Sequence, residues 1–429
     1  AAVVASGKCI ESERQALLSL KRGFNARDDD DWLSSWGDGE QQKECCNWEG
    51  VTCSNHTGHV LMLHLQGDGY TRGSISPSLG ELHHLKYLDL SGHHFTHTPS
   101  IPPFIASLTF LTHLDLFSCS FGGNIPPQLG NLLFLEYLDL SSNNLVGGFP
   151  LQLTNMSSLT YLDLSHNSLN ETMPPQLGNL LSLEHLDLSA NAFTGTIPSQ
   201  FKNLSRLQYL DLHYWDKTMS LSSDLQWLSE LSTMRYLSLP RVNLSGLISE
   251  AHFSRLSHLG TLDLSHNALA FNVSVDWIPP FNLTNIYLAR CKLGPDFPTW
   301  LHTQTMIEYL DISCAGISST VPNWFWERLP FMMYLNISHN RGNNFSGKIP
   351  SSLHNCTQLQ IFYAARNKLS GTIPSWIGDN IPKLLVLSLH SNNFHGNIPL
   401  SMCNLDELRV LDLSLNILSG SIPKCISNL

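Results

Sequence analysis

Nine carboxylates recur at one position of a repeating unit about 24 residues long: Asp89, Asp115, Asp139, Asp163, Asp187, Asp211, Asp263, Asp311 and Asp412 each stand fifth in their unit. The third residue is often tyrosine, at Tyr87, Tyr137, Tyr161, Tyr209, Tyr236, Tyr309 and Tyr334. Carboxylates on neighbouring strands, roughly 5 Å apart, have the separation of a retaining glycosidase pair. Acid and nucleophile must nevertheless hold different pKa values, and here the same residue repeats in the same setting, so no catalytic pair is expected. Two readings remain. The ladders form part of a protein- or peptide-binding surface, the use to which a curved array is suited, or Asp and Tyr pack across strands and keep a sheet soluble.

Departures from the repeat carry more information than the repeat. His213, Tyr214, Arg241, Tyr287, Arg290, Tyr363, Arg366 and His390 replace a Ser-rich consensus on the same face, and Tyr and Arg dominate binding hot spots. Units from about 207 to 390 are therefore expected to carry recognition. Eight of the twenty histidines, His64, His113, His166, His185, His213, His266, His339 and His390, fall on this face. Their charging near pH 6 would offset the Asp ladder, which predicts tighter binding of an acidic partner as pH falls. Asn336 takes the Asp position of its strand and lies in a glycosylation sequon, so a glycan there would project from this face.

The elements that position these residues follow from the pattern L-x-x-L-x-L-x-x-N-x-L. It is clearest in LEYLDLSSNNLVGGFP from Leu135, which returns as LTYLDLSHNSLNETMP from Leu159 and LEHLDLSANAFTGTIP from Leu183. Leu135, Leu138, Leu140 and Leu145 point inward, and the period-two alternation around Asp139 predicts a short strand. Asn143 follows where the chain turns, and its side chain is expected to hydrogen-bond the turn backbones of stacked units. Units begin at 60, 85, 111, 135, 159, 183, 207, 234, 259, 283, 307, 332, 359, 384 and 408. These fifteen coils form a solenoid whose strands make one parallel sheet, about 4.8 Å per strand and roughly 70 Å along its curve. The Gly-x-Ile-Pro segments after the strands, GNIP at Gly123 to Pro126 and GTIP at Gly195 to Pro198, read as turns that deny a helix. Between Leu212 and Met234 the coil is irregular. Leu221, Leu225 and Leu228 predict a short convex helix there, with Trp227 in the core.

The chain has 429 residues, a net charge of −11 and no Lys/Arg cluster, which argues against a nucleic-acid partner. Its apolar runs are too short to span a bilayer. The opening AAVVASG reads as the tail of a removed secretion signal or a cloning remnant. Sequons occur at Asn55, Asn155, Asn170, Asn203, Asn243, Asn272, Asn282, Asn336, Asn344 and Asn355. With ten cysteines, they favour a secreted protein bearing N-linked glycans.

At the N-terminus, Ser12 and Gln15 form a capping box for a helix whose apolar face carries Ala16, Leu20 and Phe24. An acidic turn at Asp28 to Asp31 follows, then Trp32, Trp36 and CCNWEGVTC from Cys45 to Cys53, with Trp48 inside it. Residues 1–59 are thus a cap over the first coil, and 60–429 are the fifteen repeats, the last incomplete. Adjacent Cys45 and Cys46 do not readily bond each other, so Cys9 is paired with Cys45 and Cys46 with Cys53. Cys403 and Cys425, 22 residues apart in successive coils, are within disulfide reach. Cys119 and Cys291 occupy the Asn143 position as buried thiols, and Cys314 and Cys356 are unpaired.

The L-x-G-x-IP coils with the CCNWEGVTC cap resemble the plant extracellular leucine-rich repeats of receptor-like proteins, receptor kinases and polygalacturonase-inhibiting proteins. DWIPPFNLTNIYLARCKLGPDFPTWLHTQTMIEYLDISCAGISSTVPNWFW, Asp276 to Trp326, is similar to receptor-like proteins related to the ethylene-inducing xylanase receptor of tomato. The resemblance implies an α/β leucine-rich repeat right-handed solenoid, with a parallel sheet on the concave face and helices or loops on the convex face. Family members have a longer array, a non-repeat island, a single membrane helix and a short tail without a kinase. This chain stops at Leu429, twenty-two residues into a coil, and is similar to the N-terminal part of such an ectodomain. What the resemblance implies is an extracellular, non-enzymatic immune recognition module without cofactor or metal, held at the plasma membrane in the full-length family with its ectodomain in the apoplast. Its expected partners are a secreted microbial protein or peptide, such as a cell-wall-degrading glycosidase, and a co-receptor kinase. The alternative is a secreted inhibitor of such an enzyme, polygalacturonase for example; inhibitors of that class are shorter, near ten coils, with a cysteine cap at the end.

Overall fold

A computed structural model describes residues 8–25, 33–67, 72–95, 97, 99–214, 225–327, 329–340 and 345–428. The acidic turn Asp28 to Asp31, Trp32, Leu221 and the sequon at Asn344 lie outside the described residues. The chain divides into two compact units, Ala1–Leu221 and Ser222–Leu429.

The first unit opens with the helix Glu11–Gly23, which buries Ala16, Leu17 and Leu20. No capping box forms. Ile10 is the N-cap without a side-chain bond, and Gln15 Nε2 donates instead to Glu11 Oε1 at 2.9 Å, because the helix begins one residue before Ser12. Glu13 is buried and ties the helix to the first coil: Val60 N donates to its carboxylate at 2.7 Å and His59 Nδ1 lies 2.8 Å away. Trp36 and Trp48 stack with ring centres 5.2 Å apart. Each indole N–H reaches a backbone carbonyl, of Glu49 and Gln42 respectively. Disulfides join Cys9 to Cys45 and Cys46 to Cys53. The short strand Val51–Cys53 runs antiparallel to Val60–His64.

From Val60–His64 onward the strands are parallel, in chain order: Tyr87–Asp89, His113–Asp115, Tyr137–Asp139, Tyr161–Asp163, His185–Asp187 and Tyr209–Asp211. The register repeats one residue against its equivalent, for example Leu138 against Leu162 and Asp139 against Asp163. The second unit continues the same plan through Tyr236–Ser238, Thr261–Asp263, Asn285–Tyr287, Tyr309–Asp311, Tyr334–Asn336, Ile361–Tyr363, Val386–Ser388 and Val410–Asp412. Leucines of the consensus positions are almost wholly buried in both units, except in the last coil, where Leu411, Leu413 and Leu418 are half-buried.

The inward asparagines account for the turns. Asn143 Oδ1 accepts from the backbone N–H groups of Cys119 and Phe121, and Nδ2 donates to the carbonyls of Leu116, Leu140 and Ser141. Asn167, Asn191, Asn267 and Asn392 repeat the motif. Cys119 and Cys291 keep part of it, since their Sγ atoms donate to the carbonyls of Leu90 and Leu264.

The segments after the turn differ from the expected reading. Gly122–Asn124, Asn144–Gly147 and Ser168–Leu169 form a second parallel sheet in the first unit. Ser245–Ile248 with Ala268–Phe271, and Lys368–Thr372 with Asn393–Gly396, do the same in the second. Pro126 does not end the coil's helical content, for a 3-10 helix, Pro127–Asn131, starts directly after it. Proline lacks only an N–H that the first turn of a helix leaves unpaired. The irregular coil carries the 3-10 helix Leu225–Glu230, with Trp227 buried. A disulfide joins Cys403 to Cys425. Among the described residues, no helix is long and apolar enough to cross a membrane.

Candidate functional site

In the first unit the ladder rings pack on one another and the ladder aspartates bond the backbone of their own turns. The third-position rings of Tyr87, His113, Tyr137, Tyr161, His185 and Tyr209 form a continuous stack with centres 4.1 to 4.2 Å apart. Each fifth-position Asp closes the turn that ends its strand: its Oδ1 accepts the backbone N–H two residues on, from Ser91, Phe117, Ser141, Ser165, Ser189 and His213, at 2.8 to 2.9 Å. The recurring Asp-Leu-Ser is the sequence sign of this turn, because Asp side chains hydrogen-bond backbone two residues away. At the two ends of the row, His64 pairs with Asp89 at 2.8 Å and His213 with Asp211 at 2.9 Å.

Burial acts on both ladders. It pushes the Asp139, Asp163 and Asp187 carboxyls above their ordinary range, aided by neighbouring aspartates. Asp115 rises to about 7, by burial first and then by repulsion from Asp139 and Asp89. Its turn partner is Phe117, which supplies no hydroxyl, whereas Ser141 Oγ also donates to Asp139 at 2.6 Å. All four carboxyls shift the same way for the same reason, so the row does not separate an acid from a nucleophile.

Burial also lowers the pKa of His113, and that of His185 to about 4. His339 is lowered by burial and by Arg366, Arg290 and His390. His185 is therefore neutral near pH 6, and the charged forms of His113 and His339 are disfavoured. His64 and His213 face aspartates, and His390 Nδ1 bonds Ser414 Oγ with Asp412 3.6 Å away. Three of the eight histidines on this face, His113, His185 and His339, thus resist the charging on which a gain in acidic-partner binding would depend. Asp163, His185 and Asp187 bring three potential ligand atoms within 4.8 Å of one another. Ring stacking and the Ser-bonded turns account for that proximity.

Tyr214 is not a surface residue. It is 3% exposed, and its hydroxyl donates to the Phe193 carbonyl, so it fills the core where its coil departs from the consensus turn. His213 remains half-buried on Asp211.

The second unit breaks both ladders. At the fifth position Ser238, Tyr287, Asn336, Tyr363 and Ser388 alternate with Asp263, Asp311 and Asp412. Tyr287 and Tyr363 are half-buried, and burial with Asp263 and Tyr309 nearby raises Tyr287 to about 12. At the eighth position stand Arg241, His266, Arg290, Cys314, His339 and Arg366, one per coil and all exposed. Each has left-handed backbone, φ between 53 and 64°. Each backbone N–H donates to the seventh-position carbonyl of the next coil, at Ser265, Ala289, Ser313, Ser338, Ala365 and His390. Two histidines and Cys314 thus join the arginines in one column, which residue-by-residue departures from consensus did not reveal but the common coil position could have.

The sequons at Asn55, Asn155, Asn170, Asn203, Asn243, Asn272, Asn282 and Asn355 are exposed. Asn336 is half-buried and bonded within the sheet: Nδ2 donates to Asp311 Oδ2 at 2.9 Å, and Oδ1 accepts from Ser338 N and Oγ.

Family comparison fits this geometry. The model for a leucine-rich repeat region matches residues 118–343, and that for a leucine-rich repeat N-terminal domain matches 10–54. The chain belongs to the leucine-rich repeat family. Within it, this leucine-rich repeat chain is a plant receptor-like protein ectodomain by its relatives. Receptor-like protein EIX2 of Solanum lycopersicum is 42% identical over 151 residues, 30% of this chain and 14% of that one. Receptor like protein 26 of Arabidopsis thaliana is 37% identical over 378 residues, 86% of this chain and 44% of that one. The leucine-rich repeat chain spans less than half the length of these relatives. Among solved structures, the ectodomain of the Arabidopsis thaliana receptor kinase GASSHO1/SCHENGEN3, in complex with CASPARIAN STRIP INTEGRITY FACTOR 2, superposes with a TM-score of 0.75 at 28% identity, covering 98% of this chain and 57% of that one. The peptide hormone receptor RGFR1 in complex with RGF2 gives 0.68 at 25%, covering 85% and 64%. These likenesses support a ligand-binding extracellular receptor module and point to binding rather than catalysis.

Proposed function

We propose that this chain is the recognition module of a plant immune receptor-like protein, a cap over residues 1–59 followed by repeats over 60–429. It binds a secreted microbial protein or peptide, of the class of cell-wall-degrading glycosidases, in the apoplast. Signalling passes through partner kinases, a co-receptor kinase among them. The observation that carries this reading is the contrast between the units. The first has its rings stacked and its aspartates used in turns, whereas the second presents Arg241, Arg290 and Arg366 exposed beside Tyr287 and Tyr363. Exposed Arg next to Tyr is the composition of binding hot spots.

The test is capture of secreted fungal and oomycete glycosidases by the purified glycosylated chain, with residual enzyme activity followed in the same tube. Capture without loss of activity supports a receptor. Capture that abolishes activity supports a secreted inhibitor, and no capture contradicts both.

A further inference from the structure

The column in the second unit has a ligand chemistry of its own. Among the described residues, no carboxylate lies within ion-pair distance of Arg241, Arg290 or Arg366. The acids nearest in the coil pattern are already engaged. Asp263 Oδ1 accepts from Ser265 N and Oγ; Asp311 accepts from Ser313 N and from Asn336 Nδ2. His339, in the same column, is held toward its neutral form partly by Arg366 and Arg290, a mark of the cationic field there. Left-handed backbone is unfavourable for a residue with a Cβ, and these exposed side chains gain no burial in return. In the first unit the same left-handed position holds Ser118, Ser142, His166 and Ala190.

Shape accompanies charge. Beside the column runs a row of small, buried seventh-position residues, Ser265, Ala289, Ser313, Ser338 and Ala365. On its other side stand the fifth-position residues, Tyr287 and Tyr363 among them. Small side chains between two taller rows leave a shallow track crossing the strands.

We propose that this track binds an extended acidic peptide whose carboxylates pair with Arg241, Arg290 and Arg366. This deepens the recognition reading above and rests on it. Arg241 and Arg290 are two coils apart and Arg290 and Arg366 three, about 10 and 14 Å at the strand spacing of a sheet. An extended chain advances about 3.3 Å per residue, so carboxylates about three and then four residues apart meet the three guanidiniums. Charge-assisted, bidentate pairing gives arginine its selectivity for carboxylate. The unequal spacing favours a peptide over an acidic polysaccharide, whose charges repeat evenly.

The probe is a fluorescein-labelled eight-residue peptide with Asp at its first, fourth and eighth positions and Ser or Gly elsewhere, titrated against the full glycosylated chain by anisotropy. Replacing the three Asp with Asn is expected to weaken binding at least tenfold, and so is the double substitution Arg290→Gln, Arg366→Gln. The Asn peptide needs no variant, so misfolding does not confuse the result. Cys314 offers a second check without mutation. Carboxymethylation places a negative charge in the column and is expected to weaken binding several-fold more than carbamidomethylation of similar size. Equal binding of the Asp and Asn peptides overturns the proposal, as does binding of oligogalacturonate with none of the peptide. The peptide assay needs no captured enzyme, so its failure removes the acidic-peptide inference while the capture experiment separately decides the recognition reading.

Discussion

Asn336 Nδ2 donates to Asp311 Oδ2 across neighbouring strands at 2.9 Å, which commits to the sheet the nitrogen that a glycan would occupy. A chain glycosylated at this residue loses that bond and must seat a sugar in a half-buried strand. Glycopeptide mapping of the secreted protein is expected to find Asn336 unmodified while exposed sites such as Asn155 and Asn203 carry glycans. A glycan at Asn336 contradicts this reading of the face.

The turn asparagines are worth more than their surface suggests. Asn143→Ala leaves two buried N–H groups and three carbonyls without their side-chain partner, and destabilisation of about 3 kcal/mol is expected. Asn143→Cys is expected to cost less, because Cys119 shows a thiol reaching the equivalent carbonyl. Urea midpoints of the two variants check the order.

The stacked first-unit face has a pH signature with opposing parts. Burial raises the Asp115 carboxyl to about 7, so the folded state binds its proton more tightly than the unfolded chain. Stability from this group is fully present below the ordinary carboxylate range and is lost as pH rises toward 7. Asp115→Asn keeps the turn acceptor without the charge. Its melting temperature is expected to gain on wild type between pH 4.5 and 7.5, and a constant gap contradicts the shift.

His185 works the other way. Its pKa falls to about 4, so stability is present above the ordinary histidine range and is lost as pH falls from about 6.5 toward 4. His185→Phe preserves a ring in the stack between Tyr161 and Tyr209 and removes the titration. The melting-temperature gap between variant and wild type is expected to widen in favour of the variant as pH drops, and parallel curves overturn this assignment.

Four cysteines are free, and three of them, Cys119, Cys291 and Cys356, are buried. Burial pushes all three thiols up, Cys291 and Cys356 to about 12. Iodoacetamide without reductant is expected to modify Cys314 alone in the native protein and all four in denaturant, as read by intact mass. Native modification at a second thiol contradicts the packing at the turn positions.

Much of this was legible because a repeat reports its environment fifteen times. The inward leucines, the strand around Asp139, the turn role of Asn143 and the cap around Trp36 and Trp48 follow from period and residue type. What escaped depended on neighbours in space. Gly122–Asn124 has no apolar alternation to mark it as a strand and pairs because Asn144–Gly147 lies on one side and Ser100 on the other. Tyr214 looked like a surface aromatic until its coil's departure from consensus opened the core to it. His113 and His185 read as titrating surface groups because the sequence does not display the rings above and below them. The aspartates read as a ladder of free charge, although Asp-Leu-Ser already spelled a turn.

The central claim is that recognition belongs to the second unit's irregular strip and not to the regular ladders of the first. Capture of a secreted glycosidase by wild type, by Arg241→Gln/Arg290→Gln/Arg366→Gln and by Asp139→Asn/Asp163→Asn tests it directly, with circular dichroism confirming each fold. At least tenfold weaker capture by the arginine variant and unchanged capture by the aspartate variant are expected. The reverse pattern contradicts the claim.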